Sequence, residues 1–177
     1  MKKIMIIILI TGLAGSSFAG IKGKIDKGNS LYKKDKFEEA LAKYRDAETD
    51  EPENSILHFN VGDALFKLEK YDDAIKEFEK ATFGKDIELE SKSYYNIGNC
   101  FYRQGKLPEA AQYYKKCLEM NPKDRDAKYN YEYVQKKIKE MIDKNKDNAS
   151  QQQQQQQQKQ GQGKEKKEGK DKKQEEK

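Results

Sequence analysis

Apolar residues recur every three to four positions along much of the chain. Val61, Leu65 and Leu68 show this spacing in one segment, and Phe78 and Ala81 show it in the next. Such spacing places the apolar side chains on one face of an α-helix. Short polar joints, such as "LEK" and "RQGK", separate successive segments. The pattern therefore predicts an all-α protein built from paired helices.

The paired segments form a repeat. The stretches "KGNSLYKKDKFEEALAKYRDA", "VGDALFKLEKYDDAIKEFEKA" and "IGNCFYRQGKLPEAAQYYKKC" align at Gly28, Gly62 and Gly98. An aromatic residue follows each glycine at the same distance: Tyr44, Phe78 and Tyr114. A small residue lets two helix axes approach closely, and the aromatic ring fills the space at the wider end. A fixed period of this size predicts stacked helical hairpins.

This order of small and aromatic residues, with Pro52 and Pro122 closing two of the units, resembles the tetratricopeptide repeat (TPR) family. The resemblance implies a solenoid of helical hairpins with about three repeats. We place them at residues 21–54, 55–88 and 91–124. Asn54 is expected to cap the start of the second repeat. The first repeat departs from the pattern, since Lys24 and Lys27 stand where large apolar residues are usual.

The sequence after the third repeat predicts one more helix and then a tail. Residues 125–144 carry a single apolar stripe, which indicates a capping helix over the last repeat. The stripe consists of Ala127, Tyr131, Val134, Ile138 and Met141. Residues 145–177 are rich in Gln, Lys and Glu, and from Gln151 onward they contain no aromatic and no aliphatic residue. Such a segment cannot offset its chain entropy by burial, so we expect it to be disordered.

Residues 1–19 have the form of a secretory signal peptide. Lys2 and Lys3 precede an apolar run, and the small residues Ser17 and Ala19 flank Phe18. We expect cleavage near Ala19 and an exported, periplasmic protein that is peripheral to the membrane. The alternative is an uncleaved anchor, although the apolar run is about half the length of a spanning helix of roughly 20 residues.

The charge does not indicate a nucleic-acid surface. The formal net charge is +5, from 36 Lys and Arg against 31 Asp and Glu. Lys2, Lys3 and a surplus of basic residues after Gln151 account for it, so the repeats are neutral and we expect no nucleic-acid partner. Cys100 and Cys117 occupy places that favour a small apolar side chain, which predicts packing, with a disulfide as the alternative.

The residues offer no catalytic constellation. His58 is the only histidine, and it falls on the core side of a predicted helix. A metal site or a base dyad would need further ligands of its kind, so we interpret it as a packing residue. The sequence also lacks a glycine-rich phosphate loop and a nucleophile motif. We therefore predict no enzyme activity, no cofactor and no metal.

The TPR resemblance implies a concave groove, lined by the first helices of the hairpins, that binds a peptide. Aromatic residues would supply contact area, Asn side chains would hold a peptide backbone, and lysines would favour an acidic segment or a C-terminal carboxylate. Carried over residue by residue, the candidate groove residues are Asn29, Tyr32, Lys33, Phe59, Asn60, Asp63, Phe66, Lys67, Lys92, Tyr95, Asn96, Asn99, Tyr102 and Arg103.

The chain only partly resembles the TPR domains that clamp the terminal carboxylate of a chaperone. Asn29, Asn60 and Lys92 match that clamp, whereas Ile25 and Asn96 stand where it has basic residues. We therefore do not predict that ligand.

The order of leader, repeats and glutamine-rich tail resembles the exported TPR proteins of Bat-type (aerotolerance) gene clusters. That resemblance implies a non-catalytic adaptor in the bacterial envelope, acting in oxidative-stress resistance. Its partner would be a membrane-anchored protein with a von Willebrand A domain. The alternative is a periplasmic assembly chaperone for envelope proteins.

Overall fold

A computed structural model describes residues 14–149 of the chain, with side chains from residue 20 onward. Residues 1–13 of the predicted leader and residues 150–177 of the predicted tail lie outside the described residues.

Seven helices and no strand make up the regular structure of the described residues, which confirms the predicted all-α fold. None of these helices combines the length and the apolar content that a membrane span needs. In chain order they are α1 (Ala14–Tyr32), α2 (Phe37–Glu48), α3 (Ser55–Lys67), α4 (Tyr71–Ala81), α5 (Ile87–Arg103), α6 (Leu107–Met120) and α7 (residues 125–149).

From α1 to α6, each helix packs against the next one along the chain, and α3 also contacts α5. The tight turns inside the three hairpins share one backbone feature, a residue in the left-handed region. These residues are Asp35 at φ 57°, Glu69 at φ 60° and Gly105 at φ 75°. Only Gly105 adopts this conformation without the cost that a Cβ imposes. The three turns thus have equivalent geometry although their sequences differ.

The glycines of the repeat are the points of closest approach within each hairpin. A Cβ added at Gly28 would lie 2.5 Å from the Tyr44 ring, and one added at Gly98 would lie 2.7 Å from the Tyr114 ring. Gly62 stands in the same relation to Phe78, also at 2.7 Å. Real Cβ atoms do not approach so closely, because interiors are already close-packed. The interpretation of the small and aromatic positions is confirmed.

Side-chain caps fix where the later hairpins begin. Asn54 Oδ1 accepts hydrogen bonds from the backbone N–H groups of Ile56 at 3.0 Å and Leu57 at 3.2 Å, as predicted. Asp86 caps α5 in the same way, although the second repeat lacks a closing proline. Asp124 caps α7 through the N–H of Ala127 at 2.9 Å. Each cap satisfies donors that a helix leaves unpaired at its first turn.

The unusual residues of the first repeat are accommodated at its surface. Lys24 Nζ lies 3.1 Å from Asp46 and 2.7 Å from Asp50, so its charge is paired across the first hairpin. Ile21 is buried, with 6% of its surface exposed. The predicted cleavage point after Ala19 falls inside α1, and Ile21 lies on the mature side of it.

The described residues divide into two compact units, the first ending at Val134 and the second beginning at Gln135. In the first unit, Ala127 and Val134 are buried, as the capping prediction requires. In the second unit, Met141 is 56% exposed, so the apolar stripe is not buried along its whole length. The helix also continues through residues 145–149, which were predicted to be tail. The extension is possible because no Gly or Pro interrupts the chain there.

Candidate functional site

The first helices of the hairpins lie side by side and form one face, which we call the groove face: α1, α3, α5 and residues 125–134. Asn96 Nδ2 on α5 donates to Asp63 Oδ1 on α3 at 2.9 Å. Asn130 Nδ2 on α7 donates to the Tyr95 hydroxyl on α5 at 3.2 Å. These bonds join side chains from different repeats. Of the candidate groove residues, Asp63, Tyr95 and Asn96 take part in these bonds and lie on this face.

One hollow of the groove face lies between α1 and α3, and we call it the N-terminal hollow. It encloses about 150 Å³, and it brings together five predicted groove residues and one tyrosine of α2. Its lining consists of Asn29, Tyr32, Lys33, Tyr44, Asn60 and Asp63. Amide, carboxylate, hydroxyl and ammonium groups thus surround a small space beside aromatic rings. That mixture suits polar side chains or the backbone of a peptide.

A second hollow, the C-terminal hollow, lies between α5 and the start of α7 and encloses about 360 Å³. Its lining consists of Asn99, Tyr102, Tyr114, Tyr129, Asn130, Tyr133 and Val134. Tyr129 and Tyr133 stack with their ring centroids 6.2 Å apart, and Tyr129 is 67% exposed. Exposed tyrosines on a rigid helix supply contact area at low entropic cost. This hollow is the more aromatic of the two.

Two tyrosines of the second helices reach into these hollows, and sequence reasoning assigned them only to the core. The Tyr44 hydroxyl donates to Asn29 Oδ1 at 2.8 Å, and the Tyr114 hydroxyl donates to Asn99 Oδ1 at 2.8 Å. Each bond holds the amide oxygen of the Asn in place. The signal was present in the sequence, since the same Asn and Tyr recur at one separation in the first and third repeats.

Asp63 is the acidic residue of the N-terminal hollow. Burial raises the pKa of its carboxyl to about 7, and the nearby charge of Lys67 offsets part of that effect. Burial, together with the charge of Asp63, raises the pKa of Tyr32 to about 12. Near neutral pH the carboxyl of Asp63 is therefore poised between its two protonation states, whereas Tyr32 keeps its proton.

Other predicted groove residues are engaged with their neighbours. Lys92 Nζ lies 2.6 Å from Glu88 on the same helix, and Arg103 lies 3.7 Å from Glu69 and donates from Nε to the Tyr71 hydroxyl at 3.1 Å. Of the predicted basic groove residues, Lys33 lines the N-terminal hollow and Lys67 acts on Asp63 through its charge. The groove face is therefore less basic than its sequence indicates.

Three aromatic groove residues pack edge-on or tilted against rings of the second helices. The ring centroids are 5.6 Å apart for Phe59 and Phe78, and 5.8 Å apart for Tyr95 and Tyr114. Phe66 contacts Tyr71 in the same way at 5.5 Å. Phe59, Phe66 and Tyr95 thus support the groove face as well as line it.

His58 is buried, as predicted, but in an ion-pair network. Its Nδ1 lies 2.9 Å from Glu77 and 3.2 Å from Glu48, and its Nε2 lies 2.8 Å from the carbonyl oxygen of Pro52. Arg45 bridges the same two carboxylates, at 2.8 Å from Glu77 and 2.6 Å from Glu48. Four charged or polar side chains from α2, α3 and α4 thereby join the first hairpin to the second.

This network also contains metal-ligand atoms, since those of Glu48, His58 and Glu77 all lie within 4.8 Å of one another. The remaining oxygen of each carboxylate binds Arg45, and Lys80 lies 3.2 Å from Glu77. These cations already balance the two carboxylates. We therefore interpret the cluster as a link between repeats.

Both cysteines are free and buried. Burial raises the pKa of the Cys100 thiol to about 12, and it also raises the pKa of the Cys117 thiol. Thiols of this kind are inert packing residues. The disulfide alternative is not realised in the structure.

Comparison with protein families gives two matches that together span more than half of the chain. Both are described as tetratricopeptide repeat, and they cover residues 25–88 and 91–124.

The chain is similar to parts of longer curated proteins. It is 30% identical to the peptidyl-prolyl cis-trans isomerase CYP7 of Saccharomyces cerevisiae, over 71% of this chain and 37% of that protein. It is 31% identical to the Hsp70-Hsp90 organizing protein of Triticum aestivum, over 58% of this chain and 17% of that protein. The chain thus spans well under half the length of these relatives.

Among solved structures, the chain is similar to the second TPR domain of human RPAP3 in complex with the HSP70 peptide SGPTIEEVD. The TM-score is 0.62 and the identity is 25%, over 67% of this chain and 98% of that one.

Proposed function

Because this chain belongs to the tetratricopeptide repeat family, we propose that it is a non-catalytic adaptor that binds an extended segment of a partner protein along the groove face. The observation that carries the proposal is the pair of hollows on one face, in which Asn side chains stand beside exposed or half-exposed tyrosines. Amides can hold the backbone of an extended peptide, and the rings can cover its side chains.

The solved relative supports this mode of binding, because the RPAP3 domain is in complex with a peptide. The identity of the peptide bound by that domain is not carried over to this chain. Asn96, at a position where the chaperone clamp has a basic residue, binds Asp63 instead. The partner segment of this chain is therefore expected to differ from the acidic chaperone tail.

We place the adaptor in the bacterial envelope, peripheral to the membrane, after export and cleavage near Ala19. The leader pattern supports export. Cleavage there would leave the buried Ile21 in the mature chain. The resemblance to Bat-type proteins supports a membrane-anchored partner with a von Willebrand A domain and a role in oxidative-stress resistance.

The test replaces one residue of each hollow, in the double variant Asn60→Ala with Tyr129→Ala. The immobilised full chain is expected to retain a stoichiometric membrane protein from detergent-solubilised membranes, and the variant to retain at least about tenfold less of it. Truncating the half-exposed Asn60 and the exposed Tyr129 removes contact groups without opening the core, so helicity measured by circular dichroism should be unchanged. Equal retention by both proteins would exclude the groove face as the binding site.

Phe83→Ala is the matched control for this experiment. Phe83 is 85% exposed and follows α4, outside the groove face. The adaptor proposal expects the control to retain the partner as the native chain does.

The same control distinguishes the alternative function, an assembly chaperone for envelope proteins. The exposed apolar residues Ile56, Phe83 and Ile87 favour that alternative, since such residues can shield apolar clients. A chaperone would suppress the aggregation of several unrelated clients and would lose this capacity in Phe83→Ala. An adaptor would bind one partner and would be insensitive to that change.

A further inference from the structure

The middle repeat differs from its two neighbours at the positions of the hydrogen-bonded Asn and Tyr. In the first and third repeats an Asn on the first helix accepts a hydrogen bond from a Tyr on the second, at 2.8 Å in both cases. In the middle repeat the corresponding residues are Asp63 and Phe78. The middle repeat thus has a carboxylate in place of the amide, and it lacks the tyrosine hydroxyl that binds this amide in the other two repeats.

One oxygen of this carboxylate is available to a ligand. Oδ1 accepts a hydrogen bond from Asn96 Nδ2 at 2.9 Å. Within the part of the chain that the structure describes, Oδ2 has no hydrogen-bond partner, and no lysine or arginine nitrogen lies within 4.0 Å of either oxygen. Lys67 acts on Asp63 only through its charge at longer range. A carboxylate held by a single amide in a half-buried place is under-solvated.

Most of the groups that line the N-terminal hollow with Asp63 suit a cation, although Lys33 lines it too. The Asn60 amide and the Tyr32 hydroxyl line the same hollow of about 150 Å³ and can both accept hydrogen bonds. The Tyr32 ring offers a face over which an ammonium or guanidinium group can lie. An unpaired carboxylate beside an aromatic ring is a suitable receptor for the end of a basic side chain.

We propose that the N-terminal hollow receives a lysine or arginine side chain of the partner segment, with its charged end on Asp63. This inference rests on the proposed peptide-binding function and specifies its ligand. It reverses the expectation from the sequence, in which the groove lysines favoured an acidic segment. Two of the basic groove residues, Lys92 and Arg103, already form ion pairs with Glu88 and Glu69, whereas the carboxylate of Asp63 has no ion-pair partner among the described residues.

The test is a selection from a library of random dodecapeptides displayed on phage, carried out at about pH 8.5, where Asp63 is ionised. The native full chain is expected to enrich peptides with Lys or Arg at one fixed position. The comparison protein is the double variant Asp63→Asn with Phe78→Tyr. This variant carries at both positions the Asn–Tyr pair that the first and third repeats already have. It is therefore expected to fold. It is expected to lose the basic preference.

The pH dependence of binding gives a second measurement. The affinity of a selected peptide, determined by fluorescence anisotropy, should fall about tenfold between about pH 8.5 and about pH 5.5, because protonation removes the charge of Asp63. The titratable groups that face Asp63 are Tyr32 on α1, Lys33 in the turn after it, Tyr44 on α2, Lys67 on α3 and Cys100 on α5. The pKa values of Tyr32, Tyr44 and Cys100 are about 12, so these groups do not change charge in that range. The double variant should bind equally at both pH values.

The outcomes separate the two proposals. If neither protein enriches any peptide, the groove function fails and this inference fails with it. If peptides are enriched without a basic position, with acidic residues, or identically by the double variant, the groove function stands and the role of Asp63 is wrong.

Discussion

Individual residues of this chain differ in how far their roles could be inferred from sequence. Burial of His58 followed from helical spacing, and the cap at Asn54 followed from its type and place. Glu48 and Glu77, the carboxylate partners of His58, did not follow, because they lie on other helices. Spacing along one helix identifies a face, whereas a contact between helices depends on their packing.

At the scale of single residues, the testable prediction concerns Glu77, the buried carboxylate that pairs with His58. Burial by itself would raise the pKa of its carboxyl, but hydrogen bonds from Arg45, His58 and Lys80 hold it below its ordinary value. Glu77→Gln is expected to lower the free energy of unfolding by about 2–3 kcal/mol at pH 7, because it leaves buried partners incompletely paired. Urea denaturation measures the change. Glu79→Gln, on the exposed side of the same helix, is the control and should change stability by less than about 0.5 kcal/mol.

The pH dependence of this difference has a defined sign. A carboxyl whose pKa is depressed by folding stabilises the native state above its unfolded pKa, and that contribution is lost as the pH falls through the folded pKa. The difference between the native chain and Glu77→Gln should therefore shrink as the pH falls below 4.5, the ordinary pKa of a glutamate carboxyl. A difference that stays constant there would exclude the ion pairs as its cause.

At the scale of the helices, the close approach within each hairpin is set by its glycine. Sequence alignment identified these positions because glycine and aromatic recur together, and the structure confirms the contact at Gly28, Gly62 and Gly98. The turns were less predictable. Asp35 and Glu69 adopt the left-handed conformation that Gly105 also has; aspartate tolerates it, but glutamate gives no signal of it. There the geometry of the hairpin overrides local preference.

Gly98→Ala tests the close approach. The added Cβ would lie 2.7 Å from the Tyr114 ring, so the two helices of the third hairpin must separate or the ring must move. We expect a loss of about 2–3 kcal/mol of unfolding free energy, measured by thermal or urea denaturation.

Gly23→Ala in α1 is the matched control, since nothing lies within 4 Å of the Cβ it would add. It should stabilise the protein by roughly 0.5–1 kcal/mol, because alanine favours a helix over glycine. A stabilising effect at both positions would show that the glycines do not set the helix spacing.

At the scale of the whole molecule, a repeat array needs its end hairpin covered, because each hairpin buries its apolar face only against the next. In the first compact unit, residues 125–134 supply that cover through Ala127 and Val134. The apolar stripe predicted this role. It also predicted burial of Met141, which is exposed.

Truncation tests the cover. Removing residues 125–177 should lower the unfolding free energy by at least about 2 kcal/mol, because it uncovers apolar surface of the third hairpin. Removing only residues 150–177 is the control and should leave the denaturation midpoint unchanged. Equal midpoints for the two truncations would exclude a capping role for the start of α7.

The sequence by itself determined the class of fold, the number of hairpins and the face that each helix turns toward the core, because these follow from a period along one chain. Only the tertiary structure decided which groove residues act together. Asn96 binds Asp63 of the neighbouring repeat, and Lys92 pairs with Glu88 on its own helix. The hydroxyl of Tyr44, on the second helix of its hairpin, binds Asn29 on the first. Such pairings depend on distances between helices, and a one-dimensional pattern does not contain them.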